Sequence, residues 1–279
     1  MKKILFAILS LSLVSCAVEG LESTLDDNSN NTNNTNNPNN TATFTDAIPL
    51  NTGNYWTYDV VGLANTRDSL YIFGDEIVGA NTYKKFKNRN NIATGFYCTS
   101  LNNNNVRKSA GKLLLTGNLT ALQGVTLPAG LDFSLTDFII FKENATNGEI
   151  LSEKTGTFQQ TISNFPVTIE YRLRSIGGEN FTSFTSPNTD VYPNVKSTKI
   201  VVNLKISTTQ TIAGFPITVN ILPQQDVVIS TQYLSKNIGV VYTKTNTNFS
   251  LNAAIAAQIG LPVTTTQVQE EFLDTYSVN

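Results

Sequence analysis

A period of two runs through the second half of this chain and constrains its fold more than any other feature. Between Lys199 and Ser207, the apolar residues Ile200, Val202, Leu204 and Ile206 fall on one face. Between Phe165 and Arg174, Phe165, Val167, Ile169, Tyr171 and Leu173 share a face, with Thr168, Glu170, Arg172 and Arg174 opposite. Successive side chains of a strand leave opposite faces, so these segments read as strands with one buried side and one wet side. Sheets of that kind are antiparallel. From residue 43 onward the chain is rich in Val, Ile, Thr, Phe and Tyr, with Gly and Asn between, and 43–279 reads as a single β domain. The expected fold is mainly β: one large antiparallel curved sheet, an open barrel or a sandwich, with one or two short helices near the C-terminus.

Turn chemistry divides the domain. Asn147-Gly148 lies between 138–143 and 149–157 and predicts a hairpin; Gly177-Gly178 predicts a second turn. Gly95-Phe96-Tyr97-Cys98-Thr99 reads as a strand in which Cys98 is a small buried hydrophobe. One helix is expected at Leu251–Ile259, where Leu251, Ile255 and Ile259 are four apart and Gly260 and Pro262 follow. The run 160–169 is echoed by 210–219, with Asn164-Phe165-Pro166 matching Gly214-Phe215-Pro216. Each copy predicts strand, tight turn and strand, and the pair predicts two equivalent hairpins along one sheet.

Composition excludes several chemistries. The chain has no His and two Cys, Cys16 and Cys98, so zinc sites of the usual kinds are not expected. Without His it also lacks the commonest general base near neutral pH. The glycine patterns of nucleotide sites and the Gly-x-Ser-x-Gly elbow are missing. Glu143, Glu149, Glu153 and Glu170 lie on or beside expected strands and read as solvated side chains. The densest basic cluster is Lys84, Lys85, Lys87 and Arg89, against a net charge of −2, so no nucleic-acid partner is expected. No catalytic residue, cofactor or metal site is expected.

The N-terminus speaks about location. Lys2 and Lys3 precede an apolar run, Ile4 to Val14, too short to span a bilayer. The run closes on Leu13-Val14-Ser15-Cys16, which resembles the lipobox of bacterial lipoproteins. That resemblance implies cleavage before Cys16 and acylation of its sulfur and new amino group. Residues 1–15 would then be a signal peptide, and Cys16 the lipidated membrane anchor. By the same resemblance Ala17, where retained lipoproteins carry Asp, points to the outer membrane. Segment 16–42, mostly Asn from residue 28, is expected to be a disordered tether. Glu19, Glu22, Asp26 and Asp27 loosely resemble the acidic surface-export signals of Bacteroidetes lipoproteins. Asp68-Ser69-Leu70 resembles the short O-glycosylation motif of exported proteins of that group.

The folded part opens with Pro49-Leu50-Asn51-Thr52-Gly53-Asn54-Tyr55-Trp56-Thr57-Tyr58. This resembles the Pro-Leu-x-x-Gly-x-x-Trp-x-Tyr opening of many bacterial lipoproteins without known activity. The resemblance implies a turn at Gly53-Asn54 into the first strand of a large antiparallel sheet. Trp56 and Tyr58, with Phe165 and Phe215 of the repeated turns, are candidate ligand-facing aromatics; each also reads as a core side chain. The expected function is a membrane-anchored binding or accessory module for a hydrophobic ligand, a glycan or an envelope protein. The alternatives are a structural part of an outer-membrane complex and a cell-surface hydrolase. An enclosed apolar cavity would fit the hydrophobic ligand, a flat aromatic groove the glycan, and a filled core the protein partner. Two carboxylates about 5 to 9 Å apart in a cleft would fit the hydrolase.

Overall fold

In the computed structural model the structure describes residues 46–119, 121–122, 125–126, 133–162, 165–212, 215–259 and 262–279. Twelve strands form one antiparallel sheet. In chain order they are β1 (Tyr55–Val61), β2 (Thr66–Val78), β3 (Asn81–Asn88), β4 (Asn105–Ser109), β5 (Lys112–Asn118), β8 (Ser134–Lys142), β9 (Ile150–Ile162), β10 (Phe165–Thr185), β11 (Val191–Ile212), β12 (Phe215–Ser235), β13 (Gly239–Ser250) and β14 (Thr264–Ser277). Two short strands, β6 (Ala121–Leu122) and β7 (Val125–Thr126), pair only with each other. Among the described residues there are two short α-helices, α1 (Phe96–Leu101) and α2 (Ala253–Ile259). The mainly β expectation is met, and α2 is the helix expected near the C-terminus.

The sheet order is β8-β5-β4-β3-β2-β1-β14-β13-β12-β11-β10-β9. Two meanders, β1–β8 and β9–β14, are joined where the first strand pairs with the last, Tyr55 opposite Ser277. The period of two sets the inner face: Val167, Ile169, Leu173, Ile200, Val202 and Ile206 are all buried. Gly53 takes a positive φ of 89° in the entry turn, as its Pro-Leu motif implies. Trp56 and Tyr58 then leave β1 on the same, inner side.

The sheet curls until its two edges meet, and the seam is not a ladder. The Ile139 N–H on β8 donates to Ser152 Oγ on β9 at 2.9 Å. Ser175 Oγ on β10 donates to the Ile139 carbonyl, and Thr198 Oγ1 on β11 donates to the Ile140 carbonyl at 3.1 Å. Inward hydroxyls therefore satisfy backbone groups that an edge strand would otherwise leave open. This corrects the hairpin expected at Asn147-Gly148: the chain turns there, but the flanking strands occupy opposite edges of the sheet. Gly177-Gly178, expected as a turn, lies inside β10, where the register with β11 slips by a bulge.

The echoed segments do form equivalent hairpins, closed by Ile162 opposite Phe165 and Ile212 opposite Phe215. They are neighbours in the sheet, as expected. α1 falls where a strand was expected, and the physical cause lies in the sheet beneath it.

Candidate functional sites

The most concentrated polar chemistry among the described residues surrounds the start of α1. A helix leaves its first N–H groups without internal partners. Here the inner face of the sheet supplies them all. Asp68 on β2 accepts from the Thr94 N–H (2.9 Å) and the Gly95 N–H (2.8 Å), and from Thr94 Oγ1. Gln269 on β14 accepts from the Phe96 N–H at 2.9 Å and returns its amide to the Thr94 carbonyl. Glu271, also on β14, accepts from the Tyr97 N–H at 2.8 Å and the Cys98 N–H at 3.3 Å. Gly95 lets the carboxylate in, because a Cβ there would overlap Glu271. Five consecutive N–H groups thus end on three side chains from two strands. Negative charge at a helix N-terminus also meets the positive end of its dipole. This arrangement turns β-prone Phe96, Tyr97 and Thr99 into a helix.

Asp68, Cys98 and Glu271 are buried, and their ligand-type atoms lie within 4.8 Å of one another. Burial, then the nearby Glu271 and Asp68 carboxylates, pushes the Cys98 thiol well up, so it is a protonated small side chain there. Burial also raises the Glu271 carboxyl to about 7, against the pull of its two backbone donors. The two carboxylates are close but enclosed, and every carboxylate oxygen receives a backbone N–H. The geometry is that of a cap in trans, not of an acid pair lining a cleft.

The aromatic candidates do not converge. Trp56 is buried, donates through Nε1 to the Ile238 carbonyl, and stacks on Phe86 at 6.2 Å between centroids. Tyr58 is buried and donates to the Val240 carbonyl at 2.8 Å, with Tyr97 edge-on at 5.7 Å. Their ligand-facing reading is corrected: both are core anchors tying β1 to the β12–β13 connection and β13. Phe215 is the reverse, 70% exposed at the end of β12. Phe165 pairs with Ile162 in the ladder, and its side chain lies outside what is described. Cys16, its signal and its tether also lie outside the described residues. The Asp68-Ser69-Leu70 motif is absorbed by the cap, with Asp68 turned inward and Ser69 paired to Thr57.

A cavity beside α1, lined by Tyr97, Leu101, Leu115, Phe138, Leu173 and Ile200, holds about 20 Å³. That is room for about one water. α1 itself, with Phe96, Tyr97, Cys98 and Leu101 buried, packs on the concave face of the sheet against β2 and β3.

One further feature has no counterpart in any single motif. The registers bring the C-terminal ends of β1, β3, β5, β9, β11 and β13 to one end of the sheet. On the β9–β14 side, the stretches 155–169, 206–225 and 245–269 that approach this end contain no Asp, Glu, Lys or Arg. The charges gather at the opposite end, where Lys108–Asp46, Lys142–Glu149, Lys84–Asp75 and Lys85–Glu76 are paired. The chain from the N-terminus enters at that charged end, where the Asp46 carbonyl accepts from the Asn237 N–H at 2.9 Å.

No protein-family model matches the chain, and no curated protein matches it. Among solved structures it is similar to a protein of Parabacteroides distasonis assigned as a lipoprotein by inference. The two share 11% identity with a TM-score of 0.40, over 84% of this chain and 99% of the other. So shallow a likeness carries no role from one chain to the other.

Proposed function

We propose that this protein is an envelope lipoprotein, held at the outer membrane by acyl chains on Cys16, whose β domain is a binding or accessory module. Its partner is engaged on the surface of the domain, not within it. One observation carries the second statement: among the described residues, α1 packs on the concave face of the sheet, and the cavity beside it holds about 20 Å³. Pockets for small ligands enclose some hundreds of Å³. Of the expected partners, an envelope protein fits a filled domain better than an enclosed hydrophobic molecule. A flat groove built on Trp56 and Tyr58 is unavailable to a glycan, since both are buried.

The anchor rests on Lys2, Lys3, the run to Val14 and Leu13-Val14-Ser15-Cys16. Two or more acyl chains together anchor a protein stably at a membrane, where one alone holds it marginally. Mass spectrometry of the mature N-terminus is expected to find an acylated Cys16. Cys16→Ser is expected to move the domain from the membrane pellet to the soluble fraction. A cleaved Cys16→Ser protein that pellets with membranes as fully as the wild type would overturn the anchor.

A further inference from the structure

The uncharged end of the β9–β14 half projects. β11 and β12 run on past their neighbours: β10 pairs with β11 only as far as Ser207, and β13 with β12 only back to Val228. Past those pairs Thr208 still donates to the Pro166 carbonyl, the Ile221 carbonyl accepts from the Asn252 N–H, and Gln225 bonds Ser250, so the two-stranded ribbon is the part of the hairpin from Thr209 to Asn220. Both of its faces are open at the end of β12, where Phe215, Pro216, Ile217 and Thr218 are all exposed. A bare two-stranded ribbon is marginal in water. Its apolar side chains therefore call for an apolar surrounding.

We propose that this ribbon, led by Phe215 and Ile217, dips into the interfacial layer of an uncharged lipid surface. The reading rests on the anchored lipoprotein proposed above for the proximity of that surface. Two observations favour lipid over a protein partner. First, no charge lies between Lys205 and Asp226, between Lys154 and Glu170, or between Lys244 and Glu270. Hydrocarbon penalises every charge placed in it, whereas protein interfaces keep a polar and often charged rim. The nearest cations at this end, Arg67 and Arg89, lie on the shorter β1–β3 side. With no Lys or Arg on the ribbon, the headgroups it suits are neutral overall.

Second, reach allows it. Residues 16–45 can stretch to about 100 Å. β11, at 22 residues, is about 70 Å long. A domain tethered at its charged end can therefore turn its far end to the bilayer. Tethering also raises the effective concentration of the surface, so weak insertion suffices. The depth is limited, because unpaired backbone at the ribbon's edges cannot enter hydrocarbon. Thr209, Thr218 and Asn220 keep that backbone at headgroup level, and only the tip side chains go deeper.

The test uses the full lipidated chain on phosphatidylcholine vesicles, with an environment-sensitive fluorophore on Phe215→Cys. Cys98 is buried and does not compete for the label. A second protein carries the label on Lys236→Cys at the charged end. The label at 215 is expected to shift to the blue and to be quenched by spin-labelled lipid; the label at 236 is not. Adding Ile217→Asp is expected to raise the lipid concentration needed by about tenfold or more. The soluble Cys16→Ser form at high lipid separates this proposal from the anchor, because its 215 label shifts whether or not the wild-type chain is acylated. A 215 label that stays in water on vesicles overturns the proposal. So does one that becomes buried only when envelope proteins are added, which would make the partner a protein.

Discussion

At the scale of single residues, the junction of Gly95 with Glu271 is a tight constraint in the interior. Gly95→Ala places a methyl group against the Glu271 carboxylate, whose neighbours on every side are fixed. Overpacking of this kind costs about 1–3 kcal/mol. A lowered denaturant midpoint with an unchanged slope is the expected result. Glu271 also makes a pH prediction. Its carboxyl is raised in the folded protein to about 7 from an ordinary 4.5. The contribution is therefore fully present below about pH 4.5 and is lost as pH rises through 7. Replacing Glu271 by Gln keeps a neutral side chain at all pH values. The stability difference between wild type and Glu271→Gln is expected to move against the wild type by roughly 3 kcal/mol between pH 4.5 and pH 8. Equal pH profiles for the two proteins would show that Glu271 ionises as freely folded as unfolded. Lys196 is another buried charge, and burial lowers its pKa. It donates to the Ala145 carbonyl at 2.8 Å and to Asn180 at 3.0 Å, clamping the 143–149 turn onto β11.

Among the secondary-structure elements, the seam between β8 and β9–β11 differs most from an ordinary sheet. Ser175→Ala and Thr198→Val each remove a donor to a β8 carbonyl, at about 1 kcal/mol apiece. Faster amide exchange confined to β8 is the expected signature; uniform exchange across the sheet would assign the loss to global stability. The β11–β12 ribbon offers a second prediction. The closing pair Ile212–Phe215 places the Pro216 nitrogen on the open side of β12, where it has no N–H to offer a neighbouring strand. Pro216→Val is expected to restore that donor and to promote self-association in sedimentation experiments. The strands, the repeated hairpins and α2 were legible in the sequence because each is local: a period of two, a short turn, a Gly and Pro stop. α1 was not. Phe96, Tyr97 and Thr99 favour a strand, and their acceptors Gln269 and Glu271 come from the far end of the chain. Asp68 and Glu271 sit at inward positions of their strands, a signal present in the alternation. An isolated acid in a strand nonetheless reads as solvated until its partner is placed. The seam was hidden for a related reason, since Ser152, Ser175 and Thr198 look like any strand hydroxyls. Phe215 resembled a core residue because its hairpin extends farther than its neighbours, and strand length beyond a partner is not written in either strand.

For the whole molecule, one end of the β9–β14 half carries no charge, and the first and last strands meet mid-sheet. Asn279 donates its N–H to Asn54 Oδ1 at 3.1 Å, so the described chain closes almost on itself. Joining residue 279 to 46 by a short linker and opening the chain between Asn147 and Gly148 preserves every ladder pair. Such a permutant is expected to retain the wild-type near-ultraviolet signal of Trp56 and to unfold in one transition. Loss of that signal would show that the 143–149 connection is needed to roll the sheet. The β1–β14 ladder matters for biogenesis as well. If the chain is exported as proposed, it emerges with β1 near the front and β14 last, so β1 keeps one open side until β14 follows. Contacts so distant along the chain form slowly and leave strand edges exposed meanwhile. If Cys16 is acylated as it emerges, that unfinished edge waits at a membrane surface among other nascent chains. The envelope must then shield it until the final strand arrives, and a chain truncated before Thr264 would keep that edge permanently open.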